Sequence, residues 1–197
     1  MGAAAARANQ ARVRRAHVQA RARACVGLQQ HTCVYVCVRA CRFVATQVVA
    51  GPEHGAAVDK DGELELWGSN EFQQCGAMGV ASVIKPQVVP ALALKKVLAV
   101  ACGGSHTLAI VSDSAAATSG TLMAWGTGTV GQLGLDRTVL LADEPAVVTL
   151  PSTRGKPVAV SRVYAGLVTS AAVDATGDLF VWGDASLGRL GLPNIAD

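Results

Sequence analysis

The first 52 residues contain no lysine, aspartate or glutamate; eight arginines supply all their charge. The remainder sets nine Lys or Arg against fourteen Asp or Glu. The formal +3 therefore averages a basic arm and a mildly acidic body. A body without a basic patch lacks the electrostatic footprint of a nucleic-acid-binding domain, and the arm keeps nucleic acid, an acidic membrane surface or an import receptor open as contacts. Long apolar runs are also missing. The longest apolar region, residues 88–102, is interrupted by Lys95 and Lys96, well short of the ~18 apolar residues of a membrane span. Arginines scattered over the first 42 residues do not fit an ordinary secretory signal. Gly2 lacks the Ser or Thr at position 6 that myristoylation requires, because Ala6 stands there. The six cysteines form no framework: Cys25, Cys33, Cys37 and Cys41 crowd the arm, while Cys75 and Cys102 lie far apart in the body. They read as free thiols in a reducing compartment, cytoplasm or nucleus. No Ser-centred elbow, phosphate loop or paired-carboxylate motif appears, so no catalytic, cofactor or metal residue is assigned and a hydrolase or metal enzyme has no motif behind it.

What is present is a repeat. Trp67-Gly68, Trp125-Gly126 and Trp182-Gly183 are spaced by 58 and 57 residues. Five residues before each Trp stands Gly62, Gly120 or Gly177; two residues after that glycine stands Leu64, Leu122 or Leu179; nine residues after each Trp stands Gly76, Gly134 or Gly191. Upstream, Gly51 and His54 align with Gly103 and His106, and with Gly166 in the third copy, where Thr169 replaces the histidine. The second copy is longer by six residues within the small, polar, Ala-rich stretch 112–119, which marks a hairpin tip. Pro86-Gln87-Val88-Val89 and Pro145-Ala146-Val147-Val148 correspond in the first two copies; the third stops before this element. Self-similarity at this period signals stacked supersecondary units.

Each copy alternates strand and turn signals. Lys60-Asp61-Gly62, Ser119-Gly120 and Thr176-Gly177 are hairpin turns between extended runs. Glu63-Leu64-Glu65-Leu66-Trp67 alternates as a half-buried strand does. Asp178-Leu179-Phe180-Val181-Trp182 is apolar on both faces, which predicts a strand sandwiched between neighbouring sheets. Pro86 and Pro145 lack an amide donor and suit a strand start or outer edge. Gly131-Gln132-Leu133-Gly134 and Gly188-Arg189-Leu190-Gly191 are tight turns that can seat Leu133 or Leu190 between sheets. The expected fold is all-β: a partial β-propeller of about three four-stranded blades, preceded by a basic low-complexity arm that is helical or disordered. The expected organisation is an arm at 1–47 and repeats at 48–96, 97–161 and 162–197, the last truncated.

The run Val100-Ala101-Cys102-Gly103, His106-Thr107, the Gly-x-Leu-x-x-Trp-Gly template and Gly131-Gln132-Leu133-Gly134 resemble the regulator-of-chromosome-condensation repeat over residues 48–192. The first copy departs with Gln73-Gln74-Cys75-Gly76, and the third carries Arg189 in place of Gln. The resemblance implies a seven-bladed ring. At this period such a ring needs ~400 residues, so the chain is expected to be part of a longer propeller. A light-sensing branch of the family carries Gly-Trp-Arg-His-Thr segments; Gly51-Pro52-Glu53-His54 and Gly103-Gly104-Ser105-His106-Thr107 lack that Trp and Arg, which counts against light sensing.

Three readings of the arm stay open. Its Ala- and Arg-rich residues 3–24 resemble a mitochondrial transit peptide, without its serines. They equally suit a disordered tail touching nucleic acid. The stretch Cys33 to Cys41 also reads as translated low-complexity DNA of alternating pyrimidines and purines. His31 with Cys33, Cys37 and Cys41 lacks the paired-cysteine spacing of a zinc site. His54 and His106 occupy one repeat position, which favours a hydrogen bond to a neighbouring strand over catalysis, and Cys102 near His106 is read as packing. The three tryptophans are read as inter-blade packing. The expected function is a non-enzymatic protein–protein interaction module. The alternative, which the resemblance implies, is a guanine-nucleotide exchange factor, or a fragment of one, for a small Ran-like GTPase.

Overall fold

A computed structural model describes residues 44–191 apart from 115, 153, 154 and 156. The readings of the arm up to residue 43, including His31 with Cys33, Cys37 and Cys41, lie outside the described residues. The body is a succession of antiparallel meanders. The first sheet holds β1 (Ala45–Ala50), β2 (His54–Asp59), β3 (Leu64–Ser69) and β4 (Ser82–Val88). The second holds β5 (Lys96–Cys102), β6 (His106–Ser112), β7 (Thr121–Thr127) and β8 (Leu141–Val147). The third holds β9 (Val160–Ala165), β10 (Thr169–Asp174) and β11 (Leu179–Gly183). This is a partial β-propeller, with each sheet ordered as its strands occur in the chain.

The register repeats as the sequence does. Trp67 pairs across the ladder with Gly55, Trp125 with Thr107 and Trp182 with Ser170. The glycine after each Trp pairs with His54, His106 or Thr169. Those glycines have φ of 112°, 98° and 107°. A Cβ on any of them would lie 2.5 Å from the carbonyl oxygen of Glu53, Ser105 or Val168. That same carbonyl accepts the next amide, from Ser69, Thr127 or Asp184, at 2.9–3.0 Å. Gly therefore follows Trp because the third strand must press on the second at this point.

The hairpins follow local chemistry. Asp59 Oδ1 accepts the amides of Asp61 and Glu63 at 2.9 and 2.8 Å, and Asp174 Oδ1 accepts those of Thr176 and Asp178 at 2.8 and 2.9 Å. In the second sheet Val111 stands at that position, and the longer 113–120 connection replaces the tight turn. Pro86 and Pro145 sit within the outer-edge strands β4 and β8, beside register shifts opposite Leu66/Gly68 and Ala124/Gly126. A residue without an amide is tolerated where the ladder is interrupted.

The core lies between the sheets. Leu64 and Leu66 of the first sheet and Leu108, Ile110, Leu122 and Ala124 of the second are buried in one cluster with Val97, Val100 and Val160. A polar strap crosses the first boundary: the Gln47 amide donates from Nε2 to Val100 O and accepts the Val100 amide at Oε1, both at 3.1 Å. The side chain thus mimics one strand residue where the inner strands β1 and β5 meet. β11 is not sandwiched as its apolar pattern predicts. Leu179 is 65% exposed, because no described sheet lies beyond it.

Candidate functional site

The repeated signature converges on the seams between sheets. At the first seam His54 Nε2 lies 2.8 Å from Thr107 Oγ1, and Thr107 Oγ1 donates to the backbone carbonyl of Gln74 at 2.7 Å. The same carbonyl accepts Trp125 Nε1–H at 2.9 Å. At the second seam His106 Nε2 lies 2.9 Å from Ser170 Oγ, which donates to Gln132 O at 2.7 Å, and Trp182 Nε1–H donates to Gln132 O at 2.9 Å. One sheet supplies the imidazole and the carbonyl; the next supplies the hydroxyl and the indole.

This geometry fixes the protonation of both histidines. Each hydroxyl has one proton and spends it on the carbonyl, so it must accept from the imidazole. Both rings are therefore neutral Nε2–H tautomers. Their Nδ1 atoms are buried without a hydrogen-bond partner, so nothing stabilises a second proton. Burial holds His54 down at about 4. Burial, with a smaller repulsion from His54, does the same to His106. The His106 ring also requires Gly103, where a Cβ would fall 2.1 Å from Cε1.

The thiols are held in the opposite direction. Burial pushes Cys75 up to about 11, and burial plus proximity to Cys75 pushes Cys102 up to about 12. A thiol near 12 and an imidazole near 4 do not exchange a proton to give the thiolate–imidazolium pair of a cysteine nucleophile. Among the described residues no three His, Cys, Asp or Glu side chains gather as a metal site. Nor is any helix among them long and apolar enough to cross a membrane.

The other signature residues take structural places. Gly51, Gly103 and Gly166 donate their amides to the carbonyls of His54, His106 and Thr169 at 2.8 Å, closing the turn after each first strand. Gly62, Gly120 and Gly177 precede β3, β7 and β11, at whose starts Leu64, Leu122 and Leu179 stand. Gly76, Gly131, Gly134, Gly188 and Gly191 turn the chain after the third strand with positive φ. Gln73 takes φ 59° where Gly131 and Gly188 stand in the other copies. Leu133 is buried and Leu190 half-buried in these turns. The rings of Trp125 and Trp182 lie against Gly76 and Gly134.

Thr107, Ser170, Gln74 and Gln132 complete the seams; Thr107, Gln74 and Gln132 belong to the quoted repeat motif without a role assigned from sequence, and Ser170 is not in it. Their signal is a shared offset: both glutamines stand seven residues after a Trp, and both hydroxyls follow the histidine position directly. A second repeated offset points outward. Phe72, Val130 and Leu187 each stand five residues after a Trp, in the loop after the third strand, and all three are exposed.

Comparison with known proteins places this architecture. A model described as the regulator of chromosome condensation (RCC1) repeat matches residues 61–110. The chain is 36% identical over 154 residues to the X-linked retinitis pigmentosa GTPase regulator of Canis lupus familiaris, covering 78% of this chain and 14% of that protein. It is 31% identical over 151 residues to the ultraviolet-B receptor UVR8 of Arabidopsis thaliana, covering 76% and 32%. Human WBSCR16 superposes with a TM-score of 0.66 at 27% identity, over 79% of this chain and 38% of that one. Prp20p of Saccharomyces cerevisiae superposes with a TM-score of 0.67 at 23% identity, over 81% and 35%, which shows the fold alone. The chain spans well under half the length of the relatives it matches.

Proposed function

We infer the function of this chain from its membership of the RCC1-like repeat family, and propose that it binds protein partners through the loops at one end of its sheets without chemistry of its own. The observation that carries this reading is the row Phe72, Val130 and Leu187. Core packing does not require an apolar side chain there, since all three are exposed. Yet every repeat places one at the same point of the same loop. Such a row along one rim is a surface that a partner can desolvate. The polar groups that could do chemistry are committed to the seams: the histidines donate to hydroxyls, and the buried thiols are held protonated.

The test is proximity labelling in native cells with the wild-type chain and a Phe72→Ser/Val130→Ser/Leu187→Ser variant. The three positions are exposed, so folding is expected to survive. Partners lost by the variant support the reading; an unchanged partner set removes it.

A second reading is nucleotide exchange on a small GTPase. It is favoured by the relative described as a GTPase regulator, and by the Prp20p structure, whose description includes binding to Gsp1p and histones. A nucleotide-release assay over a panel of small GTPases separates the two. Acceleration at substoichiometric amounts of the chain establishes exchange and overturns the purely binding reading.

A further inference from the structure

The outermost strands of the first two sheets carry different surfaces on the same frame. β4 bonds only to β3, and β8 only to β7, so each leaves one edge free. Their registers correspond: Val83 faces Gly68 as Ala142 faces Gly126, and Gln87 faces Leu66 as Ala146 faces Ala124. Ile84 and Lys85 therefore stand where the second sheet carries Asp143 and Glu144. Charged side chains on an edge strand discourage pairing with another chain. β8 has two of them, whereas β4 has one, beside an isoleucine that is 93% exposed.

This exposure belongs to the repeat position. The second sheet forms a seam with the first and another with the third, and Asp143 and Glu144 are exposed in it all the same. Met78, 68% exposed, lies in the loop before β4, where the loop before β8 carries the exposed Asp136 and Arg137. The fold thus asks for no apolar side chain at either place, and the first sheet has one at both.

The loop that carries Met78 is pinned from beneath. Asn70 is fully buried and donates from Nδ2 to the carbonyls of Ala77 and Val80 at 2.6 and 2.7 Å. Its Oδ1 accepts the Cys75 amide at 2.9 Å. The second sheet has Gly128 at this place and turns its loop on Asp136, whose Oδ1 accepts the Thr138 amide at 2.9 Å. Asn70 thereby sets Met78 and Val80 beside Ile84 before any partner arrives. With Ala77, Ser82 and Lys85 they line one groove of about 540 Å3. It has the volume of a ligand cleft but is open on one side, which suits a length of chain better than an enclosed small molecule.

Lys85 supplies the charge of this groove. None of the ion pairs among the described residues uses it, although acids outnumber bases by fourteen to nine in residues 53–197. We propose that the groove binds an extended segment of a partner protein in which a bulky apolar side chain stands next to an aspartate or glutamate. The apolar side chain seats among Met78, Val80 and Ile84, and the carboxylate meets Lys85. A cation free of intramolecular partners beside an apolar wall selects that pair of side chains. The segment is extended because the outer edge of β4 carries backbone groups that β3 does not use. The site is separate from the row Phe72, Val130 and Leu187 and does not rest on it.

The experiment selects a phage-displayed library of random peptides on the full 197-residue chain and measures the enriched peptides by fluorescence anisotropy. The enriched sequences are expected to share an apolar residue beside an acid. Ile84→Asp installs the second sheet's own residue at an exposed position and is expected to weaken these peptides by more than about tenfold. Lys85→Glu is expected to weaken them about threefold, and a peptide with lysine in place of its acid is expected to regain the loss on that variant. The Phe72→Ser/Val130→Ser/Leu187→Ser variant is expected to bind them as wild type does. Circular dichroism checks that each variant retains its β signal. A library that yields no binder overturns the proposal, as do binders that lack the motif or are indifferent to both groove substitutions. Binders lost only in the triple variant belong to the rim and overturn it too. Copies of the chain that associate with one another until Ile84→Asp separates them make a second copy the occupant, which overturns it as well.

Discussion

The second and third sheets are built from the same repeat, yet the same positions live in different surroundings. Leu122 is 1% exposed in the second sheet, and its counterpart Leu179 lies open in the third. Trp125 is fully buried; Trp182 donates an equivalent hydrogen bond but keeps part of its surface in solvent. His106 is buried under the third sheet, while Thr169 begins its strand half-exposed. A repeat does not own its core. Each signature side chain is stabilised by the sheet that follows or precedes it, so burial is a property of the neighbour and not of the motif.

The sharpest test compares tryptophans. Trp125→Ala removes a fully buried indole at a closed seam and orphans nothing on the carbonyl side, since Thr107 still bonds Gln74 O. A loss of about 3–5 kcal/mol is expected. Trp182→Ala is expected to cost distinctly less, because its ring starts partly exposed. Urea titrations of the two variants check the order; equal losses would break the comparison. Leu122→Ala and Leu179→Ala follow at a smaller scale. The first is expected to cost about 2–5 kcal/mol and the second to fall within about 0.5 kcal/mol of wild type. A costly Leu179→Ala would show that something covers the outer face in solution.

This contrast also marks how far the sequence could be read. The offsets Gly-x-Leu-x-x-Trp-Gly announce the sheets, and the surplus at 112–119 falls between β6 and β7 as an insertion in a hairpin tip must. The sandwiched strand expected at 178–182 did not follow, since an apolar pattern on two faces says what a strand can bury and not what is there to bury it. The seam relay was hidden for a different reason. His54 meets Thr107 across 53 residues and His106 meets Ser170 across 64, and the shared acceptor is a backbone carbonyl. A carbonyl has no side-chain letter, so no motif search sees it. The glutamines that hold it stand out only by their turns, where Gln74 Oε1 accepts the Phe72 amide at 3.0 Å and Gln132 Oε1 accepts the Val130 amide at 2.9 Å.

Acid separates the closed seams from the open end. His54 and His106 are held at about 4 in the fold, against an ordinary value near 6.5. Between those values the unfolded chain takes up protons that the fold refuses, so stability falls with falling pH. The stabilisation is complete above about 6.5 and is lost progressively down to about 4, by up to roughly 3 kcal/mol for each histidine. Urea midpoints measured from pH 7.5 to 4 follow this loss. His106→Gln is expected to lower stability at pH 7 and flatten its share of the acid slope. A slope of undiminished size in that variant would place the titration elsewhere.

The smallest effect dissects the relay itself. Thr107→Val keeps the shape and removes the hydroxyl. Gln74 O keeps its bond from Trp125 Nε1, but the buried Nε2–H of His54 is left without an acceptor. An unsatisfied buried donor costs about 1–3 kcal/mol, more than the net worth of an ordinary hydrogen bond. Removing the imidazole as well, in His54→Leu/Thr107→Val, takes away the orphan, so the double variant is expected to lose less than the sum of the single losses. Additive losses in the cycle would mean that the imidazole is held by packing over Gly103-type turns and not by the hydroxyl.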